Sequence, residues 1–202
     1  MPKLQPVRGT ADLLPAAMAQ HRLVVDKARQ TTERYGFLEM ATPIFEFSEV
    51  FSRPLGESSD IVTKENYTFT DRGGENLTLR PENTAGVVRS MISNGLTQSL
   101  PIKYFYAGPM FRYERPQKGR MRQFHQIGIE YLGPADAIAD AEVIGAGVRV
   151  LSQLGVLEKC VLHLNSLGDS SSRGAYRAAL VSFLRGHESS LSEDSKRRLL
   201  LN

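Results

Sequence analysis

The segment FRYERPQKGRMRQFHQIGIE, Phe111 to Glu130, gathers Arg112, Arg115, Lys118, Arg120 and Arg122 and then alternates polar with apolar residues. Taken with IKYFYAGPMFRYE before it, the segment predicts a long β-hairpin whose second arm is RQFHQIGIEYLG. Successive side chains point to opposite faces of a strand. A regular second arm puts Arg120, Arg122, Phe124, Gln126, Gly128 and Glu130 on one face and His125, Ile127, Ile129 and Tyr131 on the other. The second set is mostly apolar and is assigned to the core. The first set then faces a cleft or solvent, with Arg112 and Glu114 as a matching pair on the first arm.

Charge alone would fit a solvated hairpin whose ions pair with one another. The alternation points instead to a ligand site. Phe124 to Glu130 spans roughly 20 Å at about 3.3 Å per residue, the scale of a nucleotide laid end to end with an amino acid. Arginine suits phosphate because its planar fork donates two hydrogen bonds at once. Phe124 can stack on a base, a glutamate can accept from an exocyclic amine, and Gly128 leaves room in the floor. Gln126 and Glu130 are placed to read a small polar ligand beyond the phosphates.

Outward from the hairpin, LPAAMAQHRLVVDKARQTTERYG predicts a helix with Pro15 in its first turn and Gly36 at its end. Leu14, Met18, His21, Val25, Ala28, Thr32 and Tyr35 draw one stripe along it, with His21 as a packed histidine. FLEMATPIFEF reads as extended, with Pro43 at an edge or a break. NYTFTDRGGENLTLRP predicts a shorter hairpin, Tyr67 and Phe69 on one arm and Leu77 and Leu79 on the other. Helices are predicted over Glu82–Asn94, over DAIADAEVIGAGVRVLSQLG with Asp136 as N-cap, from near Ser172 to Gly186, and after Ser192. Gly145 and Gly147 read as small residues for close helix packing, and CVLHLNSLG as a buried strand. Short turns between paired strands favour an antiparallel β-sheet flanked by helices, an α+β fold.

The 202 residues are 41% hydrophobic and 23% charged, a globular composition with a mild net charge of +3. The lone Cys160 excludes an internal disulfide framework and fits a reducing, cytoplasmic setting. No apolar run approaches the ~18 residues of a membrane span, and MPKLQPVRGT lacks the apolar core of a signal peptide. No phosphate-loop glycine pattern or metal-ligand spacing occurs, so no protein metal site is expected.

The hairpin and the segments around it resemble the class II aminoacyl-tRNA synthetases, and among them the histidyl-tRNA synthetase family. FRYERPQKGRMRQF is similar to motif 2 of that class: an Arg-x-Glu strand, a variable loop, then an arginine four residues before a phenylalanine. RGTADLLP (Arg8 to Pro15), TLRPENTAG (Thr78 to Gly86), RQFHQIGIE (Arg122 to Glu130) and LNSLGD (Leu164 to Asp169) follow in the family's order, so the resemblance covers essentially the whole chain. It implies a catalytic core in which ATP, with Mg²⁺, and histidine form histidyl-adenylate, and the histidyl group then passes to tRNA(His). By position it implies Arg112 as the catalytic group on the α-phosphate, Glu114 on the adenine amino group, Arg120 on the γ-phosphate and Phe124 stacked on adenine. It implies Glu82, Thr84, Arg112, Gln126 and Glu130 as the histidine site. Arg115, Gln117, Lys118 and Arg122 would meet the tRNA acceptor end.

GFLEMATPIFEF resembles motif 1, about residues 36–54, which implies a homodimer; motif 2 covers about 103–132. No counterpart of motif 3, of the histidine-specific arginine segment or of an anticodon-binding domain is found. The expectation is therefore an N-terminal part of the catalytic domain, inactive alone. A rival reading is a catalytically silent paralogue that regulates ATP phosphoribosyltransferase in histidine biosynthesis. Such a protein has no need of the whole ATP and tRNA set, so Arg112, Glu114, Arg120 and Phe124 favour the synthetase.

Overall fold

The computed structural model describes residues 4–55, 65–166 and 168–200. By contacts the chain divides into two units, Met1–Lys159 and Cys160–Asn202. In the first unit the elements run α1 (Pro15–Glu33), β1 (Leu38–Glu39), β2 (Phe45–Phe47), α2 (Glu49–Leu55), β3 (Tyr67–Thr70), β4 (Asn76–Leu79), α3 (Thr84–Ser93), β5 (Ile102–Phe111), β6 (Gln123–Leu132) and α4 (Ala137–Gln153). They form two sheets of three strands, ordered β1-β5-β6 and β2-β4-β3. The α+β class stands, and every pairing is antiparallel except the two-residue β1, which runs parallel to β5.

The long hairpin forms in continuous register from Ile102 opposite Leu132 to Phe111 opposite Gln123. Its odd-numbered face packs as expected at one end. Ile129 and Tyr131 join Ala28 of α1, Phe37, Phe105 and Ala146 of α4 in a core whose last four members are fully buried. Toward the other end, His125 meets the edge of His21 with ring centroids 4.4 Å apart, so His21 is indeed a packed histidine. Burial, and then the neighbouring His21, hold His125 below the usual imidazole range. Only the C-terminal half of the α1 stripe is covered, since Leu14 and Met18 are exposed. In α4, Ala146 makes the close packing, while Gly145 and Gly147 have open space where a Cβ would point.

FLEMATPIFEF breaks at Thr42-Pro43 and serves both sheets, β1 in the first and β2 in the second. The smaller hairpin forms as expected, with Tyr67 opposite Leu79 and Phe69 opposite Leu77. Its enclosed side is the polar one. Thr78 and Arg80 are enclosed, at 0% and 6% exposure, with Glu46 beside them, while Phe45, Phe47 and Phe69 on the other face lie open. Hydrogen bonds explain the polar interior: Thr78 Oγ1 meets Ser48 Oγ at 2.8 Å and Thr68 Oγ1 at 2.9 Å, and Glu46 pairs with Arg89 of α3.

The second unit holds α5 (Ser170–Arg185) and α6 (Glu193–Leu200). Asp169 caps α5 by accepting from Ser172 N at 2.7 Å, and Ser192 caps α6 by accepting from Ser195 N at 3.2 Å. Asp136, by contrast, holds the N-cap position of α4 without a side-chain capping bond. The expected strand CVLHLNSLG does not form among its described residues; Val161, Leu162 and Leu164 are 79%, 64% and 76% exposed. Leu167 of that stretch, like the last two residues of the chain, lies outside the described residues. A strand takes its hydrogen bonds from a neighbouring strand, and this unit offers none among its described residues.

Candidate functional site

The site is a line of side chains along one face of the long hairpin. At its first end Glu130, on β6, accepts from Thr84 Oγ1 at 2.7 Å and from the Tyr106 hydroxyl at 3.4 Å. Tyr106 lies directly opposite Gly128, and a Cβ there would collide with the phenol ring. The room at Gly128 is thus filled by Tyr106 and does not open the floor. Burial raises the Glu130 carboxyl above the usual carboxylate range, with Glu82 adding to the effect. Tyr106 is pushed up to about 12, first by burial and then by the charge of Glu130, and so remains a neutral donor.

Glu82 caps α3, its carboxylate accepting from Thr84 N at 2.5 Å and Ala85 N at 3.1 Å. The helix dipole that stabilises it there leaves its charge beside Glu130 and Thr84. Gln126 faces the same side of β6, opposite Gly108, and its side chain makes no hydrogen bond among the described residues.

In the middle of the line Arg112 lies over the Phe124 ring, guanidinium carbon to ring centroid 5.2 Å, and donates from Nε to Pro81 O at 2.9 Å. Beyond it, Glu114, only 9% exposed, pairs with Arg120. The carboxylate raises the Arg120 pKa through that hydrogen bond. Arg112 and Glu114 are therefore not each other's partners: each is held by a different group.

The tip departs from a regular strand. Gln117 and Arg120 exchange backbone bonds, Gln117 N to Arg120 O at 3.2 Å and Arg120 N to Gln117 O at 2.9 Å, which makes a tight turn. Arg120 and Arg122 consequently precede β6 and lie outside its regular alternation of faces. Arg122 stacks on Tyr113 at 4.2 Å and donates to Glu114 O, while its N–H binds Gly9 O at 2.7 Å. Arg115, Gln117 and Lys118 are exposed on the turn. With Arg8, Tyr113, Glu114 and Arg122, Arg115 lines a pocket of about 330 Å³. Tyr106 and Arg8 escaped the sequence reading. Tyr106 had one legible signal, an aromatic residue in register with a glycine across an antiparallel pair.

The fold is that of a class II aminoacyl-tRNA synthetase-like catalytic core. The histidyl-tRNA synthetase family model matches residues 9–168. A histidine–tRNA ligase of Rhodospirillum rubrum is 62% identical over the whole of this chain, which spans 49% of that relative. Apo Staphylococcus aureus histidyl-tRNA synthetase superposes with a TM-score of 0.73 at 34% identity, over 98% of this chain and 46% of its own. A Bacillus halodurans protein described as an ATP phosphoribosyltransferase regulatory subunit/histidyl-tRNA synthetase gives 0.65 at 26% identity, over 75% of this chain and 38% of its own. The chain belongs to the histidyl-tRNA synthetase family, and it spans about half the length of the curated relatives it matches.

Proposed function

We propose that this chain supplies the first part, motifs 1 and 2, of the catalytic domain of a histidine–tRNA ligase, which activates histidine with ATP and charges tRNA(His). The observation that carries the reading is the order of groups along the hairpin. Carboxylates and hydroxyls (Glu82, Thr84, Glu130) stand at one end, Arg112 with Phe124 in the middle, and Glu114 with Arg120 at the other. Histidine's amino and imidazole groups suit the first end. The adenine ring and its amino group suit Phe124 and Glu114.

In the reaction the histidine carboxylate attacks the α-phosphorus, the bond to the β-phosphate oxygen breaks, and pyrophosphate leaves. No protein nucleophile is needed. Positioning and charge neutralisation do the work, and Arg112 at the reacting phosphate supplies both. Mg²⁺ would come as part of the ATP complex and would add to the charge neutralisation that Arg112 supplies. ATP binding requires Glu114 to release Arg120, which frees one for the adenine amine and the other for the γ-phosphate. The exposed turn carrying Arg115, Gln117 and Lys118, with Arg122 at its base, meets the acceptor end of the tRNA. The same reading makes the protein a cytoplasmic homodimer.

Histidine-dependent exchange of pyrophosphate into ATP, measured on the whole protein, tests this. A ligase exchanges; a regulatory paralogue binds histidine and does not.

A further inference from the structure

Arg80 has no place in the ligand set, yet it is one of the most enclosed charges of the molecule, at 6% exposure. Its Nε donates to Pro109 O at 2.9 Å, and its Nη1 to Thr42 O at 3.0 Å, Thr42 Oγ1 at 3.2 Å and Asn83 Oδ1 at 3.4 Å. Nη2 occupies the space over Gly108, where a Cβ would collide with it. No carboxylate bonds this guanidinium among the described residues. Burial lowers its pKa, opposed by Tyr106 and Glu46. A charge enclosed at that cost, where an apolar side chain would fill the volume, calls for a purpose.

The backbone around it supplies one. Arg80 N donates to Ile44 O and Arg80 O accepts from Phe111 N, both at 2.9 Å. The next carbonyl, that of the buried Pro81, accepts Arg112 Nε. The Pro81–Glu82 peptide that carries this carbonyl lies between Arg80 and Asn83, and the Arg80 guanidinium ties that short segment to Thr42, to Pro109 and to Asn83 itself. We propose that Arg80 is a positioning residue: by tying Thr42, Pro109 and Asn83 together around the Arg80–Asn83 segment, it fixes the Pro81 carbonyl that aims Arg112 at the reacting phosphate. The proposal rests on the reading of Arg112 given above.

Lysine at this position keeps the charge but cannot reach Pro109 and Thr42 together, so Arg80→Lys isolates the geometry. The test is a double-mutant cycle on single-turnover adenylate formation by the whole protein, with melting temperature recorded alongside. Small misplacements of a reacting group are costly, so Arg80→Lys should slow the step about ten- to a hundredfold with saturating ATP and histidine. In an Arg112→Ala background the same change should matter by less than about twofold, because there is nothing left to aim. Equal losses in both backgrounds would show that Arg80 only supports the fold and would overturn the inference. An Arg112→Ala variant as fast as wild type would overturn the proposed site itself, and this inference with it. If Arg80→Lys does not fold, Thr42→Val, which removes one acceptor, carries the same cycle. It should show a several-fold loss that depends on Arg112, and a loss independent of Arg112 overturns the inference.

Discussion

At the scale of the residue, Arg112 is a charge held ready. Its Nε is tied to Pro81 O and its plane lies over Phe124, so it needs little rearrangement when charge builds on the α-phosphate. The competing account, a surface salt bridge to Glu114, fails because Glu114 pairs with Arg120. Arg112→Ala should cost about 3–4 kcal/mol in single-turnover adenylate formation, and Arg112→Lys should recover little because the two-pronged geometry is lost. Rates within a fewfold of wild type would remove Arg112 from the active site. Glu130 makes the complementary case. Its pKa is raised by burial, so folding favours its neutral form. That contribution to stability is present below the ordinary carboxylate range and fades as pH rises through the folded pKa. Glu130→Gln, which mimics the neutral acid, should flatten this part of the pH dependence of melting and leave the protein no less stable at pH 7. Histidine binding, read by calorimetry, should nonetheless weaken by about 1–3 kcal/mol, since the ligand loses a charged acceptor. A variant that melts much lower at pH 7 would make Glu130 a structural group. The alignment of Phe124, Gln126 and Glu130 along β6 was legible in the sequence because it follows strand parity. The partners were not: Arg120 on Glu114, Pro81 on Arg112 and Tyr106 under Gly128 depend on where the turn closes and how three chain segments meet.

At the scale of the element, local chemistry predicted well wherever it is self-contained. Both hairpins form where they were expected, because period-two patterns and a turn between them need no outside help. CVLHLNSLG failed for the opposite reason: an apolar run gives a strand only where a neighbour accepts its hydrogen bonds. α5 shows how completely a local cap can account for a helix start. Asp169 accepts from Ser172 N, Ser171 Oγ and Ser172 Oγ, and these bonds, the backbone one first, lower its pKa from the ordinary 3.8 to about 2. A depressed carboxylate stabilises above its unfolded pKa and loses that contribution as pH falls through the folded one. The first turn of α5 should therefore fray between about pH 4 and pH 2, seen as loss of slowed amide exchange at Ser172 and Arg173. In Asp169→Ala the turn should be frayed at neutral pH as well, with no further acid transition. Protection that is unchanged by the substitution would show that packing, not the cap, holds this helix end.

At the scale of the whole molecule, the smaller sheet is inside out. Its enclosed face carries Glu46, Thr78 and Arg80, while Phe45 and Phe47 are each 52% exposed and Phe69 is 44% exposed, with Ile44 beside them at 45%. Phe45 and Phe69 meet edge to face at 6.5 Å, so the open rings form one continuous apolar surface. An apolar sheet face left to water is an interaction surface, and its Ile44, Phe45 and Phe47 fall within the motif-1-like stretch that the family resemblance links to pairing of subunits. Phe37, at the start of the same stretch, belongs instead to the monomer core, where it is fully buried against Tyr131 and beneath Lys103. Phe37, Phe45 and Phe47 are all odd-numbered in one extended run, but the break at Thr42-Pro43 sends the two halves to different sheets. The two kinds of phenylalanine should then part company in experiment. Phe47→Asp should shift the protein from dimer to monomer in light scattering at micromolar concentration, with its secondary structure intact. Phe37→Ala should leave any surviving folded protein dimeric and lower its stability by about 3–5 kcal/mol. A wild-type protein that is monomeric at that concentration, or a Phe47→Asp variant that stays dimeric, would assign the open aromatic face to some other contact.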